Sequence, residues 1–501
     1  MDMTIKPHSV SDVMASSGVA FGTSGARGLV SAMTDQVCFI YTCAFLQHMT
    51  QIGQFEPGRA VAIAGDLRPS TPRIIAACAA AVRHMGGVVD YCGFVPSPAL
   101  AGYGFARQIP SLMVTGSHIP DDRNGIKFNR VDGEVLKPDE QAMRAQEVAL
   151  PDLFDTAGML RDAQPEPALI DVEAAYLERY AAFFGAGALA GMKLGVYEHS
   201  AVGRDILVRI VEALGAEVVR LGRSDRFIPV DTEAVRPQDE ALALTWAREF
   251  ALDAILSTDG DSDRPLLADE TGAWMRGDVL GILCARALNI AAVATPVSSN
   301  TALERCGLFP EIRRTRIGSP FVIEAMNALI ASAPTACGYE ANGGFILGTP
   351  IVHGGAELGA LPTRDAVLPM LAVLADARRR GVPVSRLTDD LPARFTFSER
   401  IQDFPTSQSQ ALLAELRKGT PQEVLERLSA AFGDLAGRAT MVDETDGLRV
   451  TFDSGKIIHL RPSGNAPELR CYTECDNADA AIALNKAVLV RVKENSLVTA
   501  G

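Results

Sequence analysis

The sequence is poor in aromatic residues and in long apolar runs, and it has no excess of basic charge. Of its 501 residues 6% are aromatic, and the formal net charge is −14 at pH 7. This balance argues against nonspecific nucleic-acid binding, which needs basic patches to displace counterions. No uncharged apolar run has transmembrane length, and the first residues lack the apolar stretch of a signal peptide. We therefore expect a cytoplasmic protein with neither nucleic acid nor membrane as partner.

Cysteine lacks the spacing of a zinc site. The nine cysteines are an odd number, scattered through apolar segments such as the alanine-rich run around Cys78. This distribution favours reduced thiols in a protein core. With 48% hydrophobic and 22% charged residues, the composition is that of an ordinary globular protein. A chain of this length exceeds a single core and predicts about three or four domains.

Strand-like and helix-like segments alternate along most of the chain. The strand-like segments are residues 60–64, 88–92, 193–197, 218–221 and 291–295, and those with helical spacing are residues 72–83, 203–214 and 277–287. Such alternation predicts βαβ units with a largely parallel sheet. From about residue 386 the pattern changes to strands at 448–452, 456–460 and 469–473 and a helix at 479–493. This last part is predicted to be an α+β unit.

Three segments are interpreted as linkers between these units. They lie at residues 165–167, 268–272 and 380–383, where proline, glycine or charged residues interrupt the pattern. The predicted domains are therefore residues 1–162, 163–270, 271–385 and 386–501. The first three are expected to be α/β and the fourth α+β.

A strand-like segment at residues 109–114 opens into a loop of small residues. The loop contains Ser117 and His118, and Lys127 follows where regular structure resumes. The end of a strand in an open α/β sheet is where such folds place their chemistry. An earlier turn of small residues, at 19–28, contains Arg27 and could bind an oxyanion. Taken alone, either segment could also be an ordinary surface turn.

The acidic segment at residues 259–264 gives the sharpest chemical signal. The segment has aspartate at every second position, namely Asp259, Asp261 and Asp263, and Arg264 follows. A turn at Gly260 can direct all three carboxylates toward one binding site. Hard oxygen ligands of this kind suit Mg²⁺. An EF-hand is excluded, because the sixth position of its loop would be arginine instead of glycine. A solvated acidic turn is the remaining alternative.

Two further loops suit a phosphorylated sugar. Residues 461–467 combine a guanidinium, a hydroxyl and an amide with small residues, and Arg470 follows; this inventory suits a nonreacting phosphate group. In residues 338–344, Glu340 and Asn342 are separated by one residue, so both side chains could face the same side of an extended loop. They could then form hydrogen bonds with adjacent sugar hydroxyls. A nearby glycine loop at 314–319 adds cations. Plain turns or a solvated charged edge are the alternatives for these loops.

Together the loops resemble the α-D-phosphohexomutase family, nearly from end to end of the chain. The residues concerned are 21–27, 115–120 with 124–127, 259–264, 338–342 and 461–465. The resemblance implies three α/β domains with mixed sheets and a smaller C-terminal α+β domain around a central cleft. It also implies an isomerase that acts as an intramolecular phosphotransferase.

The resemblance further implies roles for particular residues. Ser117 would be a phosphoserine that gives and regains a phosphoryl group, and its phosphate would complete an Mg²⁺ site formed by Asp259, Asp261 and Asp263. The residues around the reacting phosphate would be Arg27, His118, Lys127 and Arg264. The sugar-binding residues would be Glu340, Asn342, Arg316 and Gly318. The residues that hold the distal phosphate would be Arg461, Ser463, Gly464, Asn465 and Arg470. A hexose 1,6-bisphosphate would be intermediate and activator.

Departures from the family pattern fall in the loops that contact the ligand. Asn342 stands where serine is more usual, Gly344 and Ser319 stand where many members have histidine, and Asn465-Ala466 replaces a common Thr-Glu. The reaction class is unaffected by these changes, but they bear on which hexose is bound.

From overall resemblance we expect interconversion of mannose 6-phosphate and mannose 1-phosphate, which would supply nucleotide-sugar synthesis. Glucose phosphates, or both sugars, are the near alternative, and glucosamine phosphate is less favoured. A Mg²⁺-dependent sugar-phosphate phosphatase and a non-catalytic binder are the alternatives from other classes. The expected partner is a phosphorylated hexose, and the expected assembly is a monomer or homodimer.

Overall fold

Four successive units of secondary structure form the protein, as seen in a computed structural model that describes residues 7–22, 25–165, 167–463 and 467–494. The first three units are α/β with mixed sheets, and the fourth has an antiparallel sheet with helices. The predicted fold class is thereby confirmed. The expectation of a largely parallel sheet holds for the second unit, where two of the three strand pairs are parallel. It is wrong for the first and third units, where at least half of the described strand pairs are antiparallel.

In the first unit the strands lie in the spatial order β2-β3-β7-β6-β4-β5. Its elements are β1 (His8–Ser9), α1 (Val10–Ser17), β2 (Ala20–Phe21), β3 (Ala26–Leu29), α2 (Asp35–Gln51), β4 (Ala60–Gly65), α3 (Thr71–His84), β5 (Val88–Phe94), α4 (Ser97–Arg107), β6 (Ser111–Val114), β7 (Arg123–Arg130), β8 (Gly133–Glu134), α5 (Lys137–Arg144) and β9 (Glu147–Val148). Strand β7 runs antiparallel between β3 and β6. The register therefore brings the loop after β6 close to Arg27 on β3 and Lys127 on β7.

In the second unit the order is β11-β10-β12-β13. Its elements are α6 (Glu173–Phe184), β10 (Lys193–Tyr197), α7 (Arg204–Ala213), β11 (Glu217–Leu221), α8 (Pro237–Phe250), β12 (Ala254–Thr258) and β13 (Pro265–Ala268). Strands β12 and β13 form an antiparallel hairpin in which Thr258 pairs with Pro265. The acidic segment is the loop of this hairpin.

In the third unit the order is β15-β14-β16-β17-β20. Its elements are α9 (Gly277–Ala287), β14 (Ala292–Pro296), α10 (Ala302–Arg305), β15 (Glu311–Thr315), α11 (Ser319–Ile330), β16 (Ala336–Tyr339), β17 (Phe345–Leu347), β18 (Ile351–His353), β19 (Ala356–Leu358), β20 (Leu361–Asp365), α12 (Val367–Arg380) and a 3₁₀ helix (Val384–Thr388). The loop with Glu340 and Asn342 joins β16 to β17, and β20 pairs antiparallel with β17.

In the fourth unit the order is β21-β25-β24-β23-β22, all antiparallel. Its elements are β21 (Phe395–Ile401), α13 (Thr406–Leu416), α14 (Pro421–Ala436), β22 (Ala439–Asp443), β23 (Leu448–Phe452), β24 (Ile457–Pro462), β25 (Leu469–Cys475) and α15 (Ala478–Lys493). The phosphate-binding segment predicted at 461–467 begins on β24 and leads into β25. The predicted residues Gly464 and Asn465 lie outside the described residues.

The apolar core is shared by the first three units but separate in the fourth. One continuous cluster of buried residues extends from Ala62 in the first unit through Leu194 in the second to Leu371 in the third. The fourth unit packs its own cluster around Phe432 and Val488. Burial of a common apolar surface fixes the first three units relative to one another. Hydrogen bonds join the fourth unit to the third, such as those from the Asn300 amide to the Arg394 carbonyl and from the Ile317 N–H to Asp446.

Cysteine behaves as the sequence predicts. None of the cysteine side chains in the described ranges forms a disulfide, and all but the half-buried Cys306 are buried. Burial raises the pKa of Cys78 to about 12, so this thiol stays protonated and unreactive. A search of the described helices finds none that combines the length and the apolar character needed to cross a bilayer.

Candidate active site

Ser117 is held in a strained and fully buried position at the end of β6. Its φ angle is 58°, in the left-handed region that costs energy for residues other than glycine, and its side chain has no solvent exposure. The Ser117 N–H donates to Oγ1 of Thr115 at 2.7 Å, and that hydroxyl donates to Asp66 at 2.7 Å. The strain is thus compensated by a local hydrogen-bond chain, which presents the Ser117 hydroxyl to the second unit.

The Ser117 loop is also organised by Arg68, a residue that sequence reasoning did not select. Its guanidinium pairs with Asp66 at 3.1 Å and lies 4.0 Å from the centre of the Phe227 ring. It donates hydrogen bonds of 2.6–3.0 Å to the carbonyl oxygens of Ser117, Ile119, Pro120 and Arg123. A Cβ atom at Gly116 would lie 2.6 Å from the guanidinium carbon, so the close approach requires glycine there. Arg68 therefore fixes the backbone around the predicted nucleophile.

The three predicted carboxylates of Asp259, Asp261 and Asp263 lie together and are buried, with ligand atoms within 4.8 Å of one another. Oδ2 of Asp259 accepts from the Ser117 hydroxyl at 2.6 Å. Oδ2 of Asp261 accepts from Lys127 Nζ at 2.5 Å and from the Ser97 hydroxyl at 2.6 Å. The hairpin loop of the second unit thus points into the first unit.

The free oxygens of this cluster fit a divalent cation. Oδ1 of Asp261 and Oδ1 of Asp263 are buried and have no hydrogen-bond partner within the part of the chain that the structure describes. Burial and the neighbouring charges of Asp261 and Asp263 raise the pKa of Asp259 to about 8. Buried carboxylate oxygens without a hydrogen-bond partner, next to other carboxylates, favour a bound cation. Carboxylate oxygens next to a serine hydroxyl form a donor set suited to Mg²⁺.

A ring of cationic side chains faces the same point. Arg264 Nη1 donates to His118 Nδ1 at 3.0 Å, and Arg264 Nε lies 3.7 Å from Asp263. Burial and the cations Arg264 and Arg27 lower the pKa of His118 to about 2, so this imidazole is neutral. Burial, and then Arg264, lower the pKa of Arg27 to about 10. Among the described residues Arg27 Nε has no hydrogen-bond partner. The ring is therefore prepared for an anion.

The predicted sugar residues lie at the edge of the carboxylate cluster. Glu340 is 5% exposed, and burial raises its pKa although Arg364 opposes the shift. Asn342 Oδ1 accepts from the Gly344 N–H at 3.0 Å, and the Asn342 carbonyl accepts from Thr232 Oγ1 at 2.6 Å. The Asn342 amide is therefore oriented by its own loop and by the second unit.

Arg316 and Gly318 lie in the loop between β15 and α11. Arg316 is exposed, and its guanidinium lies 5.0 Å from the centre of the Phe321 ring. Gly318, at φ 131°, begins helix α11. Between them the Ile317 N–H donates to Asp446 of the fourth unit at 2.9 Å. This segment therefore connects the third unit to the predicted phosphate site.

The predicted phosphate site lies at one end of the fourth sheet. Arg461 Nε donates to Asp446 Oδ2 at 2.8 Å, and the Ser463 N–H donates to the Glu468 carbonyl at 2.9 Å. Arg470 is half-buried, and its Nε has no partner in the described segments. Asp446 therefore positions both Arg461 and the loop before α11.

Strand register adds an arginine that sequence reasoning missed. Arg470 on β25 is paired directly with Arg461 on β24 and with Arg400 on β21. Directly paired side chains in antiparallel strands share a face, and like charges in such positions repel. Glu468, 3.6 Å from Arg400 and 3.8 Å from Arg470, compensates only part of this charge. The row of Arg400, Arg470 and Arg461 is therefore suited to an anionic ligand.

Other residues of the site were missed because they come from distant strands and turns. They are Arg68, Ser97, Glu134, Arg364 and Arg400. An available signal was the Asp66–Arg68 pair directly after a strand, since a charged pair at a strand end is a typical functional position. A second was Arg364, a cation within the otherwise strand-like residues 361–365.

Comparison with known proteins places this geometry in a family. Models described as phosphoglucomutase/phosphomannomutase domains match in order: alpha/beta/alpha domain I at residues 18–148, domain II at 174–272, domain III at 276–395 and the C-terminal domain at 410–490. The predicted domain boundaries at 162, 270 and 385 stay predictions.

Individual relatives extend over almost the full length. The chain is 44% identical to a phosphomannomutase of Salmonella muenchen, over 96% of this chain and 97% of the relative. It is 45% identical to a phosphomannomutase of Sinorhizobium fredii, over 93% and 96%. The crystal structure of a phosphoglucomutase/phosphomannomutase family protein from Burkholderia thailandensis shares the fold, with a TM-score of 0.71, 21% identity and coverage of 96% and 98%. With four matching domains and relatives this similar, the chain belongs to the phosphoglucomutase/phosphomannomutase family of α-D-phosphohexomutases.

Proposed function

We propose that the protein is a phosphomannomutase that interconverts mannose 6-phosphate and mannose 1-phosphate through a phosphoserine at residue 117. The observation that supports this most directly is the 2.6 Å contact between the Ser117 hydroxyl and Asp259, inside a buried ring of carboxylates and cations. The choice of mannose is supported by the relatives named phosphomannomutase at 44–45% identity. Phosphoglucomutase activity, or activity on both sugars, is the alternative.

The chemistry follows from the charges around Ser117. A phosphoserine is nearly doubly negative, so transfer of its phosphoryl group to another anion requires cations on both sides. Arg27 and Arg264 would bind the phosphoryl oxygens, and the three aspartates would hold Mg²⁺, Asp261 and Asp263 through their Oδ1 atoms. When bound, Mg²⁺ supplies charge neutralisation for the transferred group. In the forward step the bond from Ser117 Oγ to phosphorus breaks while the hexose hydroxyl oxygen bonds to phosphorus.

Two residues are candidates to accept the proton of the attacking hydroxyl, Lys127 and His118. A general base works best when its pKa is near the working pH. His118, with a pKa lowered to about 2, is far below that range. Lys127 Nζ lies 2.5 Å from a carboxylate oxygen of Asp261 and 2.5 Å from one of Asp263, inside the ring of charges around Ser117. We therefore propose Lys127 as the proton acceptor because of its position and His118 as a neutral hydrogen-bond acceptor.

The first step would leave a hexose 1,6-bisphosphate, which must turn over so that its other phosphate faces Ser117. Glu340 and Asn342 would bind the sugar hydroxyls in both orientations. The row of Arg461, Arg470 and Arg400 would hold whichever phosphate is distal, together with Ser463, Gly464 and Asn465. The separate core of the fourth unit permits that unit to move during the exchange. If turnover stays unchanged after the fourth unit is covalently cross-linked to the third, this movement is not required.

The burial of Ser117 argues against the phosphatase alternative. A hydrolase must admit water to the phosphoserine, whereas Ser117 has no solvent exposure. Free thiols in the core support a reducing compartment, and we propose the cytosol as the place of action. Whether the protein is a monomer or a homodimer stays a prediction.

A coupled assay with mannose, glucose and glucosamine 1-phosphates, with Mg²⁺ and a trace of hexose bisphosphate, tests the proposal. We expect the mannose ester to give the highest kcat/KM, no release of inorganic phosphate, and loss of activity on chelation. A preference for glucosamine 1-phosphate would overturn the substrate assignment. Stoichiometric phosphate release would support the phosphatase, and binding without turnover or labelling of Ser117 would support a non-catalytic binder.

A further inference from the structure

Arg364, near the end of β20, lies between the carboxylate cluster and the sugar loop. Its side chain is 2% exposed, and its Nη2 lies 3.0 Å from Asp263 Oδ2. Its Nη1 lies 4.0 Å from Glu340 Oε2, and its Nε lies 3.8 Å from Glu134 Oε1. Burial disfavours the guanidinium cation, but Asp263, Glu134 and Glu340 more than offset this and raise its pKa. One buried cation thus faces a carboxylate from each of the first three units.

The backbone of Arg364 is fixed on both sides by contacts to other units. Thr363 Oγ1 donates to Glu134 of the first unit at 2.9 Å. Asp365 accepts hydrogen bonds from Tyr176, at 2.7 Å, and from Tyr180, both on helix α6 of the second unit. A long side chain on a fixed backbone loses little freedom when it binds, so it can orient its partners.

Arg364 determines which oxygen of Asp263 is available. Oδ2 of Asp263 is held by Arg364 at 3.0 Å and by Lys127 at 2.5 Å. Oδ1 is the atom that has no hydrogen-bond partner among the described residues. Rotation of the carboxylate would exchange the two oxygens and is prevented by this two-sided contact. The contacts to Oδ2 therefore leave Oδ1 of Asp263, which lies 3.7 Å from Arg264 Nε, as the oxygen open to a cation.

Gly344 provides the space that Arg364 occupies. A Cβ atom at position 344 would lie 2.8 Å from Cδ and 3.0 Å from Cγ of Arg364. The φ angle of Gly344 is outside the left-handed region, so the backbone itself would accept alanine. The arginine cannot move aside easily, because both its guanidinium and its backbone are held. Glycine at 344 is thus required by the neighbouring side chain and not by the turn.

We infer that Arg364 is a positioning residue of the reaction proposed above. It orients the Asp263 carboxylate toward the cation and holds Glu340 for the sugar, so that the cation site and the sugar loop act as one structure, and Gly344 makes this arrangement possible. Loss of Arg364 should weaken cation binding and raise KM for the hexose phosphate together. This inference rests on the proposed function, but its effect on cation binding does not depend on turnover.

The experiment combines cation titration with a double-mutant cycle. In calorimetric titrations of the full chain with Mn²⁺, we expect Arg364→Met to raise Kd about 10- to 100-fold. KM for mannose 1-phosphate should rise at the same time, and Arg364→Lys should recover part of both effects. Arg379→Ala is the control, since Arg379 is 66% exposed on the same unit and pairs with Asp376. It should change neither quantity.

The double-mutant cycle needs no substrate and tests whether the Arg364 side chain is what excludes a Cβ atom at position 344. We expect Gly344→Ala to lower Tm and weaken Mn²⁺ binding in the unaltered chain, but to have little further effect after Arg364→Ala, which removes the clashing atoms. An equal penalty of Gly344→Ala in both backgrounds would overturn the steric argument. Unchanged Mn²⁺ affinity in folded Arg364→Met, or the same loss in Arg364→Lys, would overturn the positioning role. If the unaltered chain turned over no hexose phosphate, the proposed function would fail, while the titration and the cycle would still decide the role of Arg364.

Discussion

The hydroxyl of Ser117 donates a hydrogen bond to Asp259 although 142 positions separate the two residues in the chain. The first lies at the end of β6 in the first unit, and the second lies in the β12–β13 hairpin of the second. Each loop is held by its own unit, and the shared apolar core fixes the units against each other. The reacting group and the cation ligands are therefore placed before any substrate arrives, which reduces the reorganisation needed during transfer.

Replacement of Ser117 by alanine should abolish turnover while leaving the fold intact. The hydroxyl is the proposed site of the covalent intermediate, so we expect kcat to fall by about 10³-fold or more. Steady-state assays and phosphate labelling by mass spectrometry measure the effect, with Ser407→Ala, at an exposed position, as control. Labelling of another residue at full activity would contradict the assignment.

Replacement of Arg68 by methionine should slow the reaction through the backbone of the Ser117 loop. The change leaves Asp66 buried without its ion-pair partner, and four carbonyl oxygens lose their donor. Loss of one member of a buried pair typically costs about 3–5 kcal/mol of unfolding free energy. We expect kcat to fall more than KM changes, as measured in steady-state assays alongside urea unfolding. Combining the change with Asp66→Asn should restore stability in part but not kcat. A kcat equal to that of the unaltered protein would show that Arg68 only stabilises the fold.

The arginine row of the fourth unit predicts a selective effect on binding. Arg400→Met should raise KM for the hexose phosphate about threefold to tenfold, since a partly exposed charged hydrogen bond to phosphate contributes modestly. The response to Mg²⁺ should not change, because the cation site is in other units. Arg438→Met, an exposed change in the same unit, is the control. Equal KM values for both variants would exclude Arg400 from the phosphate site.

Buried histidine should make the protein less stable in mild acid. Burial lowers the pKa of His459 to about 4, and its Nε2 donates to the Asp446 carbonyl. The unfolded chain, with an ordinary pKa near 6.5, therefore binds a proton between pH 6.5 and 4 that the folded protein does not bind. Stability from this residue is complete above pH 6.5 and is lost as the pH falls toward 4, by up to about 3 kcal/mol. Urea unfolding from pH 8 to pH 4.5 should show a flatter profile for His459→Gln. Parallel profiles would contradict this source of acid sensitivity.

Sequence reasoning succeeded where the signal was local. Strand β10 and helix α9 occupy the residues predicted for them, 193–197 and 277–287. Regular alternation and helical spacing are properties of short segments, and each motif loop likewise joins two adjacent elements. The structure brings Ser117, the three aspartates and their cations to one point, as the motif pattern predicted. Their chemical roles stay proposals.

The parts that were not predicted depend on contacts between distant segments. Strands β21 and β22 lie at the two edges of the fourth sheet, where exposed residues weaken the alternation pattern. Arg400 could be assigned to the phosphate site only from the strand register, which pairs it with Arg470. Arg364 is a buried cation whose partners Asp263 and Glu134 come from other units, and Arg68 binds carbonyl oxygens about 50 positions further along the chain. No spacing rule along the chain indicates such partners.

Strand β20 has a consequence for how this sequence can change. Its successive side chains point to opposite faces, so insertion or deletion of one residue within β20, before Thr363, would turn the Arg364 guanidinium away from Asp263. The contacts of Thr363 and Asp365 would be broken by the same slip. Length variation within β20 is therefore constrained by chemistry that occurs on other loops. A change of length there would disable the enzyme without altering any residue that touches the ligand.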